Sequence, residues 1–560
     1  MIKLIKKHRL ALRIGLVIIV SFLFRFWRLT EFPASLNIDE VIIGYDSYSL
    51  LKTGRDHWGK FLPLAFQSTG DYKPPILIYL MIPAIKIFGL NEFGIRFTIA
   101  LIGSLTPLIV YGLVNKLFKN RSMATIAALL LAISPWHIQF SRSTFEAILA
   151  LFLVILGMFL FLKSLEEKGR GLWLAGLCLS LSMYAYHAER VFVPVLLVAV
   201  AIIFWQEIWR HKKESLIALA VNFLVLIPFL FIILSPQGQT RARDSIFTND
   251  YELTTVRLAE MEQWSGRSQW ERILNGELVN TFSFWAKRYL EYSDPRYLFF
   301  KGMSYTHDKF PDVGIMYCFE LVFFFGGIFY LMGNYLKINK KYKRLIFAWL
   351  LLGPIAASLA NNSQHPLRSL TTIPIPQLIS AVGIYGFFIA INKSKLKTVF
   401  KKGIFVLLGG MILVNVGYYL DIYYVHNPVH YSHHIMYGMK EIALYAWENR
   451  DKYDQIIIDR KFGIEDKNIV GIPFAYVLTY GKVDPLVIQR ARQGNKTPLS
   501  FENFTFREIY WPKDRKLKKT LLVASFWQLS PDTIPEEQVV KIVSLYDGRP
   551  MFYLVETDVQ

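Results

Sequence analysis

The feature that most constrains this chain is its repeated alternation of long apolar runs with short hydrophilic gaps. A helix needs about 20 apolar residues to cross a bilayer core, where no backbone polar group can stay unpaired. Runs of that kind predict spans near 11–29, 96–117, 122–139, 146–164, 171–187, 190–206, 214–235, 314–336, 344–361, 369–391 and 402–424. The expected fold class is therefore a polytopic α-helical membrane protein with about 11 spans. Hydrophobic residues make up 53% of the 560, and the mean hydropathy is +0.32. That is too apolar for a soluble globular chain and too polar for spans alone, so a soluble portion is expected as well.

The net charge of +20 does not point to nucleic acid, because the basic residues sit in the gaps and not on one soluble face. Lys116, Lys119 and Arg121, then Lys168 and Arg170, then Arg210 to Lys213, fall in alternate gaps. So do the stretches Lys337 to Arg344 and Lys393 to Lys402. Cationic loops stay on the cytoplasmic side, which predicts N-terminus in and C-terminus out. The basic start (Lys3, Lys6, Lys7, His8, Arg9, Arg13) runs into apolar sequence through Phe26-Trp27 with no small-residue cleavage site, as a retained first span does. Residues 76–89 are apolar but short, carrying Pro83 and Lys86. A crossing there would invert every later loop, so they are read as a juxtamembrane or re-entrant helix on the outer side. Cys178 and Cys318 both lie in apolar runs, as packing groups do.

The organisation expected is a transmembrane domain over 1–424 and a soluble α/β domain over 425–560 on the outer surface. Short β-type runs at 455–458, 520–523, 539–543 and 551–555, with a helical stretch at 436–450, carry the second assignment. Two outer loops stand out, 30–95 and the long polar 236–312. Loops of that length are usually functional or disordered.

Ionisable groups at membrane edges are costly and mark function. Here they gather at the outer span ends: Asp39, Glu40, Asp71, Lys73, Arg142, Glu146, His187, Glu189, Arg190, His365 and Arg368. Asp39 is the favoured base, since a carboxylate aimed at an acceptor can take its proton. Glu40, its neighbour, points elsewhere on a helix or strand and is a second catalytic candidate, for acceptor or metal. Glu146 is either a first-turn acid favoured by the helix dipole or a carboxylate facing Asp39, and with Asp39 would suit Mg2+ or Mn2+. Lys73, fixed by Pro74-Pro75, and Arg190 and Arg368 are the phosphate candidates. Asp71, Tyr72, Arg142, His187, Glu189 and His365 complete the expected substrate-binding set. Arg25 and Arg28 read as cations snorkelling to the headgroups. The His426, His430, His433, His434 series has loop-like spacing and no Cys partner.

Several of these residues together resemble one superfamily. Asp39-Glu40 follows the first span; Asp71-Tyr72-Lys73-Pro74-Pro75 precedes a short helix; Gly89, Glu92 and Arg96 precede the next span. Ser134-Pro135-Trp136-His137 leads on to Glu146, and Arg190 stands just before Pro194. The pattern resembles the GT-C integral-membrane glycosyltransferases. Within them it is similar to bacterial relatives of dolichyl-phosphate-mannose–protein mannosyltransferase and of lipid A aminoarabinose transferase. The likeness covers about residues 10–240 well, the later spans loosely, and extends to a soluble C-terminal domain. It implies a polyprenyl-phosphate sugar donor, inverting transfer, and a site on the extracytoplasmic side of the plasma (inner) membrane. It would make Asp39 the base, Glu146 the second acidic loop residue, Lys73 a ligand of the donor phosphate, and Arg368 a weaker one. Tyr72 departs from the acid or His frequent at its position, and Glu146 from the commoner Asp.

The function expected is transfer of a sugar from that carrier to a protein, lipid or glycan acceptor. A transporter or flippase would instead show paired half-repeats and mid-membrane charges, and a polysaccharide ligase or polymerase a large late catalytic loop.

Overall fold

A computed structural model describes residues 2–68, 72–234, 268, 277–302, 313–333, 335–336, 338–360, 364–432, 434–460, 473–492, 500–526 and 528–557. Its first helix, α1 (Ile2–Phe26), precedes a loop that leads to α2 (Ile38–Thr53). Asn37 caps α2: its side chain accepts from Glu40 N at 2.9 Å, and Glu40 Oε2 accepts from Asn37 N at 3.0 Å. This reciprocal pair satisfies two backbone donors and fixes where the helix begins. Gly54, at φ 67, ends it in the left-handed region that glycine tolerates.

A two-stranded antiparallel ribbon, β1 (Phe66–Gln67) and β2 (Tyr72–Lys73), leads through Pro74 into α3 (Pro75–Phe88). Proline suits a first helical position because the N–H there lacks a partner anyway. Then come α4 (Glu92–Phe118), α5 (Arg121–Ile133), α6 (Pro135–Ser141), α7 (Glu146–Glu166), α8 (Leu172–Ala185), α9 (Glu189–Ile203), α10 (Trp205–Arg210) and α11 (Lys212–Leu234). Ser134-Pro135 breaks α5 from α6 with a bend of 54°. Later helices cover Glu277–Glu291, Glu320–Met332, Lys340–Ser358, Ile375–Lys393 and Thr398–Asp421. The helices Glu320–Met332 and Ile375–Lys393 touch backbone to backbone. A Cβ on Gly383 would fall 1.9 Å from Phe323 O, and one on Gly327 2.0 Å from Ile379 O. Such close approach is how membrane helices gain packing without a hydrophobic driving force between them.

A helix lies at each apolar run, but length and composition qualify fewer as full spans than the eleven expected. Among the described residues five helices are long and apolar enough, or six if the bent pair α5–α6 counts as one. The helices α8, α9 and Glu320–Met332 have only 14, 15 and 13 residues. The long outer loop includes the helix Glu277–Glu291; 236–267, 269–276 and 303–312 of that loop lie outside the described residues.

After Gly438 the chain builds a mixed sheet with strands β3 (Gln455–Ile458), β4 (Ser500–Phe501), β5 (Phe504–Phe506), β6 (Thr520–Ser525), β7 (Val539–Ser544) and β8 (Pro550–Thr557). Their spatial order is β4-β5-β3-β6-β8-β7, with β3 parallel to β5 and β6 and the other pairs antiparallel. β3 and β6 are almost wholly apolar, as central strands covered on both faces are. Two helices absent from the sequence reading, Pro473–Tyr480 and Pro485–Arg492, lie between β3 and β4. The first of them seats this unit on α2 and the loop before it. Tyr476 OH donates to Leu36 O at 2.8 Å, and Thr479 Oγ1 to Val41 O at 3.3 Å. Tyr45 OH answers from α2 with a bond to Val483 O at 3.0 Å.

Candidate active site

The first turn of α2 and the end of β2 bring two charges together. Lys73 Nζ lies 2.6 Å from Asp39 Oδ1, with the lysine side chain 11% exposed and the aspartate 37% exposed. The cation is thus largely enclosed while the carboxylate opens outward. Proximity follows from the fold: α2 and α3 pack on each other, and Pro74 carries the chain directly from Lys73 into α3.

Other ionisable groups lie beside this pair. Glu146 is the first residue of α7, buried, with Oε1 unpaired in the structure, and its charged neighbours are Lys73 and Asp39. His187, between α8 and α9, bonds to the Tyr72 backbone and faces Lys73 and Arg190. Its Nε2 and Glu189 Oε2 are buried and unpaired. Arg190 stacks over the Phe229 ring at 5.1 Å. Buried polar atoms normally find partners, and Glu146 Oε1, His187 Nε2 and Glu189 Oε2 have none among the described residues. Tyr72 lies under the Lys60 ammonium at 5.8 Å. Asp71 lies outside the described residues.

Arg368 begins a 3-10 turn (Arg368–Thr372) that packs on α7 and is tied to α6 by Trp136 Nε1, which donates to Pro366 O at 2.8 Å. His365 precedes it, buried, its backbone N donating to Tyr292 OH at 3.1 Å. Burial and the neighbouring Arg368 cation hold the imidazole neutral, its pKa lowered to about 3.

Three residues serve purposes other than those expected. Glu40 is fully buried and saturated. Oε1 accepts from Arg96 Nε at 3.0 Å and Thr144 N at 3.0 Å, and Oε2 from Asn37 N and from Arg96 Nη2 at 3.3 Å. It has no lone pair left for catalysis and instead pins α2 to α4 and to the loop before α7. Arg142, expected to bind substrate, turns inward onto the end of α1. Its two Nη atoms donate to the carbonyls of Phe24, Arg25, Trp27, Arg28 and Phe32, and its Nε to Tyr423 OH. A guanidinium there satisfies carbonyls that the helix itself leaves unpaired and suits the negative end of its dipole. Arg25 does not snorkel outward. It is buried, bonded to the carbonyls of Ser21, Leu131 and Ala132 and to His137 Nδ1 at 2.7 Å. Arg28 does reach the surface, where it pairs with Glu31.

Arg96 was noted in the sequence only as part of a pattern. Besides Glu40, it gathers the carbonyls of Leu29, Pro33 and Ser35. Its signal was present: an arginine just inside an apolar run is costly unless something pairs it.

Among the described residues Asp39 and Glu146 do not by themselves assemble a divalent-metal site. Lys73 already occupies Asp39 Oδ1, and no cluster of three or more His, Cys, Asp or Glu side chains able to hold an ion occurs among the described residues.

A multi-pass helical domain with acid and cation paired at the end of its first loop, topped by an α/β unit, defines a class: the chain has the fold of the GT-C membrane glycosyltransferases. Residues 72–232 match the family model described as dolichyl-phosphate-mannose-protein mannosyltransferase. An uncharacterized protein of Aquifex aeolicus (strain VF5) is 28% identical over 145 residues, 26% of this chain and 28% of that protein, so the chain matches little more than a quarter of that relative's length. The fold is similar to the oligosaccharyltransferase of Archaeoglobus fulgidus tethered with an acceptor peptide (TM-score 0.52, 14% identity, 85% of this chain and 63% of that one). It is similar also to ArnT from Cupriavidus metallidurans in the apo state (TM-score 0.53, 13% identity, 98% of both chains). ArnT bound to undecaprenyl phosphate matches with a TM-score of 0.51.

Proposed function

We propose that this protein transfers a sugar from a polyprenyl-phosphate carrier to an acceptor at the extracytoplasmic face of the membrane. The observation that carries this reading is the Asp39–Lys73 pair at 2.6 Å, open on the carboxylate side and bordered by Glu146 and His187, each with one buried polar atom unpaired. A lipid-linked phosphate arriving at Lys73 competes with Asp39 for the ammonium. Binding donor thus neutralises the phosphate and frees the carboxylate. The acceptor O–H or N–H then attacks the anomeric carbon, and its proton passes to Asp39. The bond from that carbon to the phosphate oxygen breaks, and the polyprenyl phosphate leaves with the electron pair, its charge met by Lys73. Attack opposite the leaving group inverts the sugar. Glu146 and His187 are placed to hold sugar hydroxyls, while Arg190 adds positive charge near Lys73. Arg368 and His365, on the turn against α7, are further substrate ligands in this reading. The similarity to ArnT bound to undecaprenyl phosphate and to an oligosaccharyltransferase tethered with an acceptor peptide supports the substrate classes.

The test is transfer in membranes from a panel of polyprenyl-phosphate sugars, comparing wild type with Asp39→Asn. Transfer by wild type and its loss in the variant, with the fold intact, is expected. Undiminished transfer by Asp39→Asn would remove the base from this mechanism.

A further inference from the structure

The ribbon that carries Lys73 is too small to hold itself. Each strand has two residues, and isolated hairpins are marginal even when longer. Besides Pro74, His187 and Asp39, a chain of contacts that starts in the α/β unit bears on it. The helix Pro485–Arg492 lies over the loop that follows α2. Gln489, buried there, has Nε2 within bonding distance of Ser49 Oγ (3.2 Å), Thr53 Oγ1 (3.0 Å) and Asp56 O (3.1 Å). The Arg492 guanidinium lies 3.7 Å above the Trp58 ring, a cation–π contact, and has Asp46 and Asp56 as charged neighbours.

Both carboxylates are fully buried and shape the loop. Asp46 Oδ1 accepts from His57 N and meets His57 Nδ1 at 2.7 Å; Asp56 Oδ1 accepts from Trp58 N and Lys60 N. Buried anions need nearby positive charge, and Arg492 supplies it from the far end of the sequence. The loop then holds the ribbon. Trp58 Nε1 donates to Gln67 O at 2.8 Å, and Lys60 Nζ to Gln67 Oε1 at 3.2 Å. Gln67 stands opposite Tyr72, and Phe66 opposite Lys73.

We propose that Gln489 and Arg492 are positioning residues that clamp the 54–60 loop from the α/β unit, and through Trp58 and Gln67 hold Lys73 where it meets Asp39 and a donor phosphate. This rests on the reading of Lys73 as a phosphate ligand. The α/β unit is then a working part of the donor site.

The experiment uses the full chain in detergent with Gln489→Ala, Arg492→Ala, Lys73→Ala and the exposed control Arg490→Ala. Hydrogen exchange is read over residues 54–73. Affinity is read for undecaprenyl phosphate and for undecaprenol, which lacks the phosphate. Expected for Gln489→Ala and Arg492→Ala are faster exchange across that segment and about tenfold weaker binding of undecaprenyl phosphate, less than the roughly hundredfold that a misplacement of about 1 Å can cost a reaction. Undecaprenol binding should not change, a distinction that general destabilisation would not make. If Arg492→Ala fails to fold, Arg492→Lys keeps the charge beside the two carboxylates but not the plane over Trp58, and should show a smaller change in the same direction. Unchanged exchange would overturn the clamp. Faster exchange with phosphate affinity retained, while Lys73→Ala weakens it, would overturn its role in positioning. If Lys73→Ala itself binds undecaprenyl phosphate as wild type does, the phosphate reading fails, and the exchange data still judge the clamp separately.

Discussion

Glu40→Gln separates a structural carboxylate from a catalytic one. In the folded protein Glu40 meets Arg96 inside the helical domain, with side-chain exposures of 1% and 0%. The substitution preserves shape but removes the charge. It also replaces one accepting oxygen by an NH2 that faces donors, Arg96 Nη2 or Asn37 N if it takes the place of Oε2. Removing one partner of a buried ion pair costs about 3–5 kcal/mol, because the other charge is left uncompensated. At about 2–4 °C per kcal/mol for a mid-sized domain, and less for a larger one, Tm should fall by several degrees. The assay is thermal unfolding of purified protein in detergent, with Asp39→Asn as reference. That pair is partly exposed and contributes about 0–1 kcal/mol, so its loss should leave Tm almost unchanged while abolishing transfer. Glu40→Leu combined with Arg96→Met removes both charges at similar volume and should recover part of the stability lost in Glu40→Gln. If Glu40→Gln unfolds with wild type and loses transfer as completely as Asp39→Asn, the structural assignment is wrong and Glu40 belongs with the catalytic groups.

Three further outcomes are expected. Arg142→Ala should lower Tm more than Arg28→Ala, since it strips a buried cap from five carbonyls while Arg28 only pairs at the surface; equal shifts in a thermal melt would refute this. Transfer should survive EDTA, because Lys73 supplies beside Asp39 the positive charge that meets the departing phosphate; loss of activity on chelation, restored by Mg2+ or Mn2+, would refute it. His365 is depressed to about 3 in the folded state against about 6.5 when unfolded, so the unfolded chain binds the extra proton first. Its contribution to stability is full above about pH 6.5 and declines as pH falls towards 3. Tm measured over that window should fall less steeply in His365→Gln, and parallel curves would refute the assignment.

Much of the framework was legible because it is local. Apolar runs mark helices wherever they lie, although the expected span 122–139 ran through the break at Ser134-Pro135 and α2 lay unread inside the loop 30–95. Asp39 and Lys73 were visible as charges at the two ends of one polar loop. The fates of neighbouring charges were not. Successive residues on a helix point about 100° apart, so Asp39 can face outward while Glu40 enters the core. Which of the two does so depends on where Arg96 and Thr144 arrive from elsewhere in the chain. The same holds for Arg142 and Arg25, outer-end cations by sequence that the tertiary structure turns onto helix carbonyls. A charge is costly to bury alone, and sequence cannot say which partner will come to meet it. Nor could it link Arg492 to Trp58, since that contact exists only once the α/β unit has docked on α2. Sequence periodicity determined the helices and put an acid and a cation at the two ends of one loop. The packing of segments distant in the chain brought those two together and decided which charges were left to work, because a buried charge needs a partner that only the fold delivers.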